Sequence, residues 1–326
     1  MRRKIVCTAG SIVLAIVNGA AVAEEHFTSG ASRDTSELVA SEAMGEVETI
    51  LFDGVRIHLL IEDQPFDLSR AEIRDWVRQC ARVVAHYYGR FPVDDAWVAI
   101  RARRGARVFS GRAFGTAGSA VVNVDIGLRV SRDTLDADWV LIHEMIHFAF
   151  PGVARRHHWI EEGLSVYVEA IARANTGALS AESVWRGFLA GMPRGLPQPD
   201  DRGLDYTPTW GRTYWGGALF CLLADIRIRE QTDGRRTLRD ALRGIVDAGY
   251  DITQRGDLRE VLTIADRATG VSVLIGLYDE MRDQPGIDDL DSLWRSLGVS
   301  EQGQSVVFDE QAPLSEIRHA LTMRDL

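Results

Sequence analysis

Lysine is almost missing from this 326-residue chain: Lys4 is the only one, and arginine carries nearly all the positive charge. An excess of positive charge is missing as well. At a net charge of −10 the chain lacks the basic footprint of a nucleic-acid binder, so no nucleic-acid partner is expected. No long apolar run follows the first two dozen residues, so no membrane span is expected in the mature chain. Cysteine is scarce. Cys7 lies in the N-terminal segment, whereas Cys80 and Cys221 sit in "RQCARVV" and "LFCLLADI". Both stretches read as helix interior, where a free buried thiol is common, so a disulfide is the less favoured reading. No G-x-G-x-x-G follows a strand, which removes a dinucleotide site. There is no internal repeat and no low-complexity tract.

What is present is ordinary for a soluble globular protein: 46% hydrophobic and 26% charged residues, enough for a sizeable core in one large domain or two smaller ones. The start, "MRRKIVCTAGSIVLAIVNGAAVAEE", has a basic end, an apolar run and the A-x-A site Ala21-Val22-Ala23. It reads as a signal peptide over 1–23 with cleavage before Glu24; an uncleaved anchor is the alternative, but Ile5 to Val17 is short for a span. The mature protein is therefore expected to be exported, periplasmic or secreted. Residues 24–44 are polar and small, a flexible lead-in.

From residue 45 the signals alternate. "VETILFDGVRIHLLIE" holds two β-rich runs around Asp53-Gly54, a hairpin signature. Ser69 to Gly89 has helical periodicity through Ile73, Trp76, Val77, Cys80, Val83, Val84 and Tyr87. "DAWVAIRAR" and "SAVVNVDIG" read as strands, with "FSGRAFGTAGS" as a glycine-rich loop between them. From about residue 131 the chain turns helical. "SRDTLDADWVLIHEMIHFAF" reads as one helix with Ser131 or Asp133 as N-cap, ended by Phe150-Pro151-Gly152. "WIEEGLSVYVEAIARANTG" is a second helix, and "TYWGGALFCLLADIRIREQTDG" a third after a long loop.

Within the first of these helices, "HEMIH" places His143 and His147 four residues apart, hence on one face and one turn from each other. Imidazole nitrogens so spaced can both reach a zinc ion at about 2.0–2.1 Å. Glu144 is rotated about 100° from His143, beside the metal rather than on it, where it can act on a water. The bland alternative is a helix whose histidines bond backbone or water. However, Trp139, Val140, Ile142 and Ile146 already supply its apolar face, which leaves the histidines without a packing role. A catalytic zinc needs a third protein ligand and an open position. The metzincin continuation fails, since Phe150 and Val153 stand where Gly and His are required. The next candidates are Glu161 and Glu162. Glu161 sits on the edge of the apolar stripe Ile160, Leu164, Tyr167, Val168 and Ile171. Glu162 shares a polar face with Ser165 and Glu169, the kind of face a cleft wall has, and is preferred; Gly163 beside it permits close helix approach. Glu169 is either a carboxylate that orients a ligand histidine or a solvated one. His157 and His158, in a basic linker, read as exposed rather than as ligands. Trp185, Trp210 and Trp215 line a pocket or, more commonly for such spacing, belong to the core.

"HEMIH" followed by "WIEEGLSVYVE" resembles the gluzincin superfamily of zinc metallopeptidases, in which W-x-x-E-G supplies the third ligand. The segment "TYWGGALFCLLADIRIREQTDGRRTLRDALRGIV" resembles the part after the zinc site in glycyl-aminopeptidase-like gluzincins and, more distantly, in aminopeptidase N. There a Y-x-K-G segment supplies a tyrosine that stabilises the oxyanion, which implies Tyr214 here. The late "TGVSVLIGLYDEMRD" and "LDSLWRSLGV" are similar to the end of that catalytic domain, so the resemblance spans roughly residues 131–298. There are two departures. The lysine of Y-x-K-G is Gly216. The motifs that bind a substrate's free amino terminus, G-x-M-E-N or G-G-L-E-H, are missing, and "GTAGSAVVNVDIG" holds their place.

The resemblance implies a thermolysin/gluzincin-like α+β peptidase domain over 45–326. It has a small β-rich N-terminal lobe (45–130) and a mostly helical C-terminal lobe (131–326), with zinc between them. Zinc is expected on His143, His147 and Glu162, Glu144 as general base and Tyr214 as oxyanion donor. The partner is a peptide or protein substrate, with "SAVVNVDIG" holding it by strand addition. The competing reading is a non-catalytic peptide- or envelope-binding module with a structural zinc. A structural zinc is normally closed by four protein ligands, and the sequence offers three. Hydrolysis of a non-peptide amide or ester is a third reading that the zinc residues do not separate from proteolysis.

Overall fold

The computed structural model describes residues 45–325 apart from 117, 288 and 304; the signal-peptide and lead-in expectations lie outside the described residues. A five-stranded mixed sheet is built first along the chain: β1 (Glu48–Phe52), β2 (Val55–Ile61), β3 (Asp95–Arg103), β4 (Val108–Thr116) and β5 (Ser119–Gly127), in the spatial order β1-β2-β3-β5-β4. The β1–β2 hairpin closes Phe52 on Val55. Asp53 and Gly54 both take positive φ, 47° and 84°, the conformation that a two-residue hairpin loop requires. β2 and β3 are parallel, and the chain crosses between them through α1 (Arg70–Tyr88). Ser69 and Glu72 cap α1 reciprocally, and Gly89 ends it at φ 79°. Its periodic residues, Ile73 through Tyr87, are buried in the same core as Ile57, Leu59, Val98, Ile100, Val122 and Val124 of the sheet.

β5 pairs with β3 in parallel and with β4 antiparallel. This corrects two sequence expectations. The stretch read as a glycine-rich loop is the strand β4, and β5, flanked on both sides, has no free edge for an added strand. The edge strand beside it is β4, as β1 is on the other side of the sheet. Gly111, Ala113 and Gly115 weakened its β signal, yet small residues at alternate positions are what its packing needs, since a side chain on Gly111 would collide with Val140 and Glu144.

The helices follow: α2 (Arg132–Ala137), α3 (Val140–Ile146) with a 3₁₀ turn His147–Ala149, α4 (His158–Asn175), α5 (Ala181–Gly191), α6 (Gly217–Gln231), α7 (Leu238–Asp247), α8 (Leu258–Thr269), α9 (Val273–Met281), α10 (Leu290–Leu297) and α11 (Ser315–Thr322). A small hairpin, β6 (Val299–Gln302) and β7 (Ser305–Phe308), precedes α11. The expected single helix 131–150 is broken. Asp138 is extended (φ −75°, ψ 151°), and its carboxylate accepts the Val140 N–H at 2.7 Å, starting a new helix. Ser131 caps α2. Cys80 and Cys221 are free and buried. Among the described residues no helix is long and apolar enough to cross a membrane.

Candidate metal centre

α3 presents His143 and, one turn on, His147, with ring centroids 5.2 Å apart. Opposite them, α4 presents Glu162. Its Oε2 lies 3.3 Å from His143 Nε2 and 3.8 Å from His147 Nε2. One atom from each of the three residues lies within 4.8 Å of the others, close enough to share one small ion. The position of Glu162 is fixed by a helix crossing. Gly163 of α4 meets Gly217 of α6 backbone to backbone, and a Cβ on either would overlap the other helix.

The donor set fits zinc. Two imidazole nitrogens and a carboxylate oxygen are three of the ligands a catalytic zinc uses, leaving a fourth position open. The polar groups are also incompletely matched within the protein alone: both Nε2 atoms face one oxygen, and His143 Nδ1 is buried without a partner. In the metal-free polypeptide burial pulls His147 down to about 4. His143 is pulled down by burial but raised on balance by Glu162 and Glu144. Burial works to raise Glu162, yet His147 and His143 hold it at about 2. The centre is thus strongly polarised, a common trait of functional sites.

Glu144 reaches β4. Its Oε2 accepts the Ala113 N–H at 2.8 Å, and its side chain packs over Gly111. Burial pushes its carboxyl up to about 7. Neither Ala113 nor Gly111 was singled out from sequence. The alternation Gly111-Ala113-Gly115 is the signal that could have marked this strand face.

Tyr214 lies on a π-helical turn, Arg212–Gly216, that leads into α6. Burial and the neighbouring carboxylates of Glu162 and Glu144 push its phenol up. The turn is anchored by Arg212, 2% exposed, which pairs with Asp201 at 2.8 Å and donates to Gly195 O at 2.6 Å. Trp210 stacks on Tyr214 with centroids 5.9 Å apart. Of the three tryptophans considered as pocket residues, Trp185 and Trp215 are buried, and only Trp210 is exposed, at 38%.

One of the two linker histidines departs from expectation. His158 is exposed, as expected, with Nε2 3.3 Å from Glu162 Oε1. Its Nδ1 lies 2.8 Å from Glu161 Oε2, and Glu161 Oε1 accepts the Val153 N–H at 3.3 Å. His157 is buried, not exposed, because Asp205 reaches it from 48 residues along the chain. His157 Nδ1 and Trp159 Nε1 each lie 2.8 Å from Asp205 Oδ1, and Tyr278 Oη donates to Oδ2 at 2.9 Å. The polar face of α4 is likewise not a cleft wall. Ser165 is fully buried, and Glu169 is buried and paired with Arg173 at 2.6 Å.

No protein-family model matches the chain, and no curated protein does. Among solved structures it is similar to an aminopeptidase N family protein from Idiomarina loihiensis. The TM-score is 0.57 at 13% identity, over 82% of this chain and 53% of that one. It is also similar to an M1 zinc metallopeptidase from Deinococcus radiodurans, as a mutant bound to a Tyr-Ser-Ala substrate. There the TM-score is 0.47 at 16% identity, over 75% of this chain and 53% of that one. The chain spans about half the length of these structures. The first likeness is one of fold, and it agrees with the gluzincin resemblance at that level.

Proposed function

We propose that this chain is an exported zinc-dependent metallopeptidase of the gluzincin type, related to the glycyl-aminopeptidase-like branch. The observation that carries the reading is the convergence of His143, His147 and Glu162 from two helices, with Glu144 held alongside by the edge of the sheet. In this reading residues 1–23 are a signal peptide, 24–44 a lead-in, and 45–326 the peptidase domain with its lobe boundary near residue 130.

His143, His147 and Glu162 would hold the zinc ion, which when bound supplies the Lewis acidity that activates water and polarises a carbonyl. Glu144 takes the proton of the attacking water and returns it to the leaving amine, as general base and then acid. Its anchored oxygen, on the Ala113 N–H, leaves Oε1 for that proton. Tyr214 donates its hydroxyl to the developing oxyanion. β4 is an edge strand, and its outward main-chain groups other than the Ala113 N–H offer an extended peptide a strand to lie against.

The test is Glu144→Gln, with zinc content and peptide hydrolysis measured together. The variant is expected to bind zinc one to one, as the wild type does, and to lose turnover. Wild-type hydrolysis in the variant, or a wild-type protein that takes up no zinc, would overturn the assignment.

A further inference from the structure

The π-helical turn Arg212–Gly216 is gripped along nearly its whole length. Before it, Gly211 lies against Arg194 O, where a Cβ would come within 2.1 Å. Within it, the Trp215 ring lies on Gly191, and a Cβ there would come within 2.1 Å of the ring. Gly216 N meets Gly195 of the 3₁₀ turn Met192–Gly195, where a Cβ would come within 2.3 Å. After it, a Cβ on Gly217 would come within 2.1 Å of Trp159 O and 2.8 Å of the Cα of Gly163, the residue that follows Glu162. Glycine at these contacts lets the chain approach this closely. Thr213 and Tyr214 are the two residues of the turn that are not buried.

Arg212 ties these contacts together from the buried side. Its Nε lies 2.8 Å from Asp201 Oδ2, and its Nη2 donates to Asp201 Oδ1 at 3.3 Å and to Pro285 O at 3.0 Å. Its Nη1 donates to Gly195 O at 2.6 Å. Asp201 Oδ1 also accepts the Gly203 N–H at 2.8 Å. One planar guanidinium thus joins the turn to residues 195, 201 and 285, a task that needs its fixed fork of donors. The two side chains are 2% and 9% exposed. A pair buried to that degree is weak evidence for stability, since apolar side chains of similar volume often serve as well. What the fork adds is geometry. Arg212 and Tyr214 stand two apart on the turn and so face different ways, one into the protein and one out of it.

We infer that Arg212, through its pair with Asp201, is a positioning residue for the Tyr214 hydroxyl. The inference rests on the peptidase reading, in which Tyr214 donates to the oxyanion. Arg212 touches no reacting atom. It holds the turn so that the hydroxyl keeps one aim while the carbonyl is attacked, and a misplacement of about 1 Å is enough to cost about 10²-fold in rate.

The experiment uses the full zinc-loaded chain and two substitutions that act on the turn from different sides. Arg212→Lys keeps the charge against Asp201 but loses the fork that reaches Gly195 O and Pro285 O together. Gly195→Ala presses on Gly216 and leaves both members of the ion pair in place. Each is made alone and in a Tyr214→Phe background, and kcat, KM, zinc content and melting are measured. Alone, each should lower kcat about tenfold or more, with KM and zinc content unchanged. In the Tyr214→Phe background the same change should lower kcat by no more than about twofold, because the group it positions is already gone. Where only one of the two variants folds, that one decides. A pair that merely stabilises the fold would lower melting and leave kcat alone, or lower kcat by the same factor in both backgrounds; either result overturns the inference. Loss of zinc overturns it too, since the effect then runs through Glu162. So does failure of both variants to fold, because the pair is then a requirement of the whole chain rather than a device for one side chain. The peptidase reading fails separately, when zinc-loaded wild type cleaves no peptide, and the role of Tyr214 fails when Tyr214→Phe keeps the wild-type kcat. The inference falls with either. With both intact, equal losses in the two backgrounds sink it alone.

Discussion

Two histidine–carboxylate clusters flank the start of α4, and they are built on opposite rules. In the first, His157, Trp159 and Tyr278 surround Asp205 with contacts of 2.8–2.9 Å that use both carboxylate oxygens. In the second, His143 and His147 face one oxygen of Glu162 at 3.3 and 3.8 Å, and His143 Nδ1 is buried without a partner. The first is complete without any further atom; the second has the spacing of groups arranged around something else. A buried polar network that is complete stabilises a fold, and one left incomplete costs stability. The contrast sets the second cluster apart as the candidate site and the first as the strut that holds α4 in place.

The contrast breaks or survives first on a pair of substitutions. His147→Ala is expected to abolish zinc uptake and hydrolysis together while leaving the unfolding temperature of the chelator-treated protein nearly unchanged. His157→Ala should do the reverse, keeping zinc and costing about 1–3 kcal/mol of stability. Zinc analysis and calorimetric melting of both metal-free proteins decide it. Equal destabilisation by the two variants would show that both clusters are structural. Next in size is Tyr214→Phe, which removes the proposed oxyanion donor without touching His143, His147 or Glu162. Its kcat should fall by about 10²–10³ at unchanged zinc content, and a wild-type kcat would remove Tyr214 from the chemistry.

The second cluster was the more legible of the two in the sequence. His143, Glu144 and His147 follow a spacing that helix geometry explains, and Glu162 follows W-x-x-E-G on the next helix. The hairpin at Asp53-Gly54, α1 and the apolar strands β3 and β5 were legible for the same reason, a clear period. The first cluster was not. Asp205 lies in an irregular loop 48 residues from His157, and a polar residue in a loop carries no periodic signal. β4 was missed because its glycines read as loop. They are there because Glu144 must pass close over Gly111, a demand set by tertiary contact rather than by strand propensity. The break at Asp138 was missed for a related reason: one capping hydrogen bond to Val140 outweighs an otherwise continuous helical pattern.

His158 sharpens the comparison because it touches the incomplete cluster from outside. With Nε2 at 3.3 Å from Glu162 Oε1, it meets one carboxylate oxygen, while Oε2 is the one near His143 and His147. His158→Ala should weaken zinc binding by about 10–100-fold, read by competition with a chelator, with little change in the melting of the metal-free protein. An unchanged zinc affinity would make His158 a surface residue.

The smallest effect on the metal centre should come from Asp205→Asn, and its pH dependence tests the strut directly. Burial works to raise the Asp205 carboxyl, but hydrogen bonds from His157 and Trp159, and from Tyr278, outweigh it and hold the group below its usual range. A carboxyl depressed in the folded state stabilises the fold above its unfolded pKa, about 3.9, and that contribution is lost as the pH falls through the folded value. Asn keeps one acceptor oxygen but no charge, so the stability difference between wild type and variant should be greatest near neutral pH, about 1–3 kcal/mol. It should shrink steadily as the pH drops below about 4. Denaturant unfolding at several pH values measures this. Zinc affinity should stay within a few-fold of wild type, because the strut acts on the start of α4 while Glu162 is held by the Gly163–Gly217 crossing one turn further on. A large loss of zinc affinity in a stably folded Asp205→Asn protein would mean that the two clusters form a single coupled network, and the distinction between strut and site would fail.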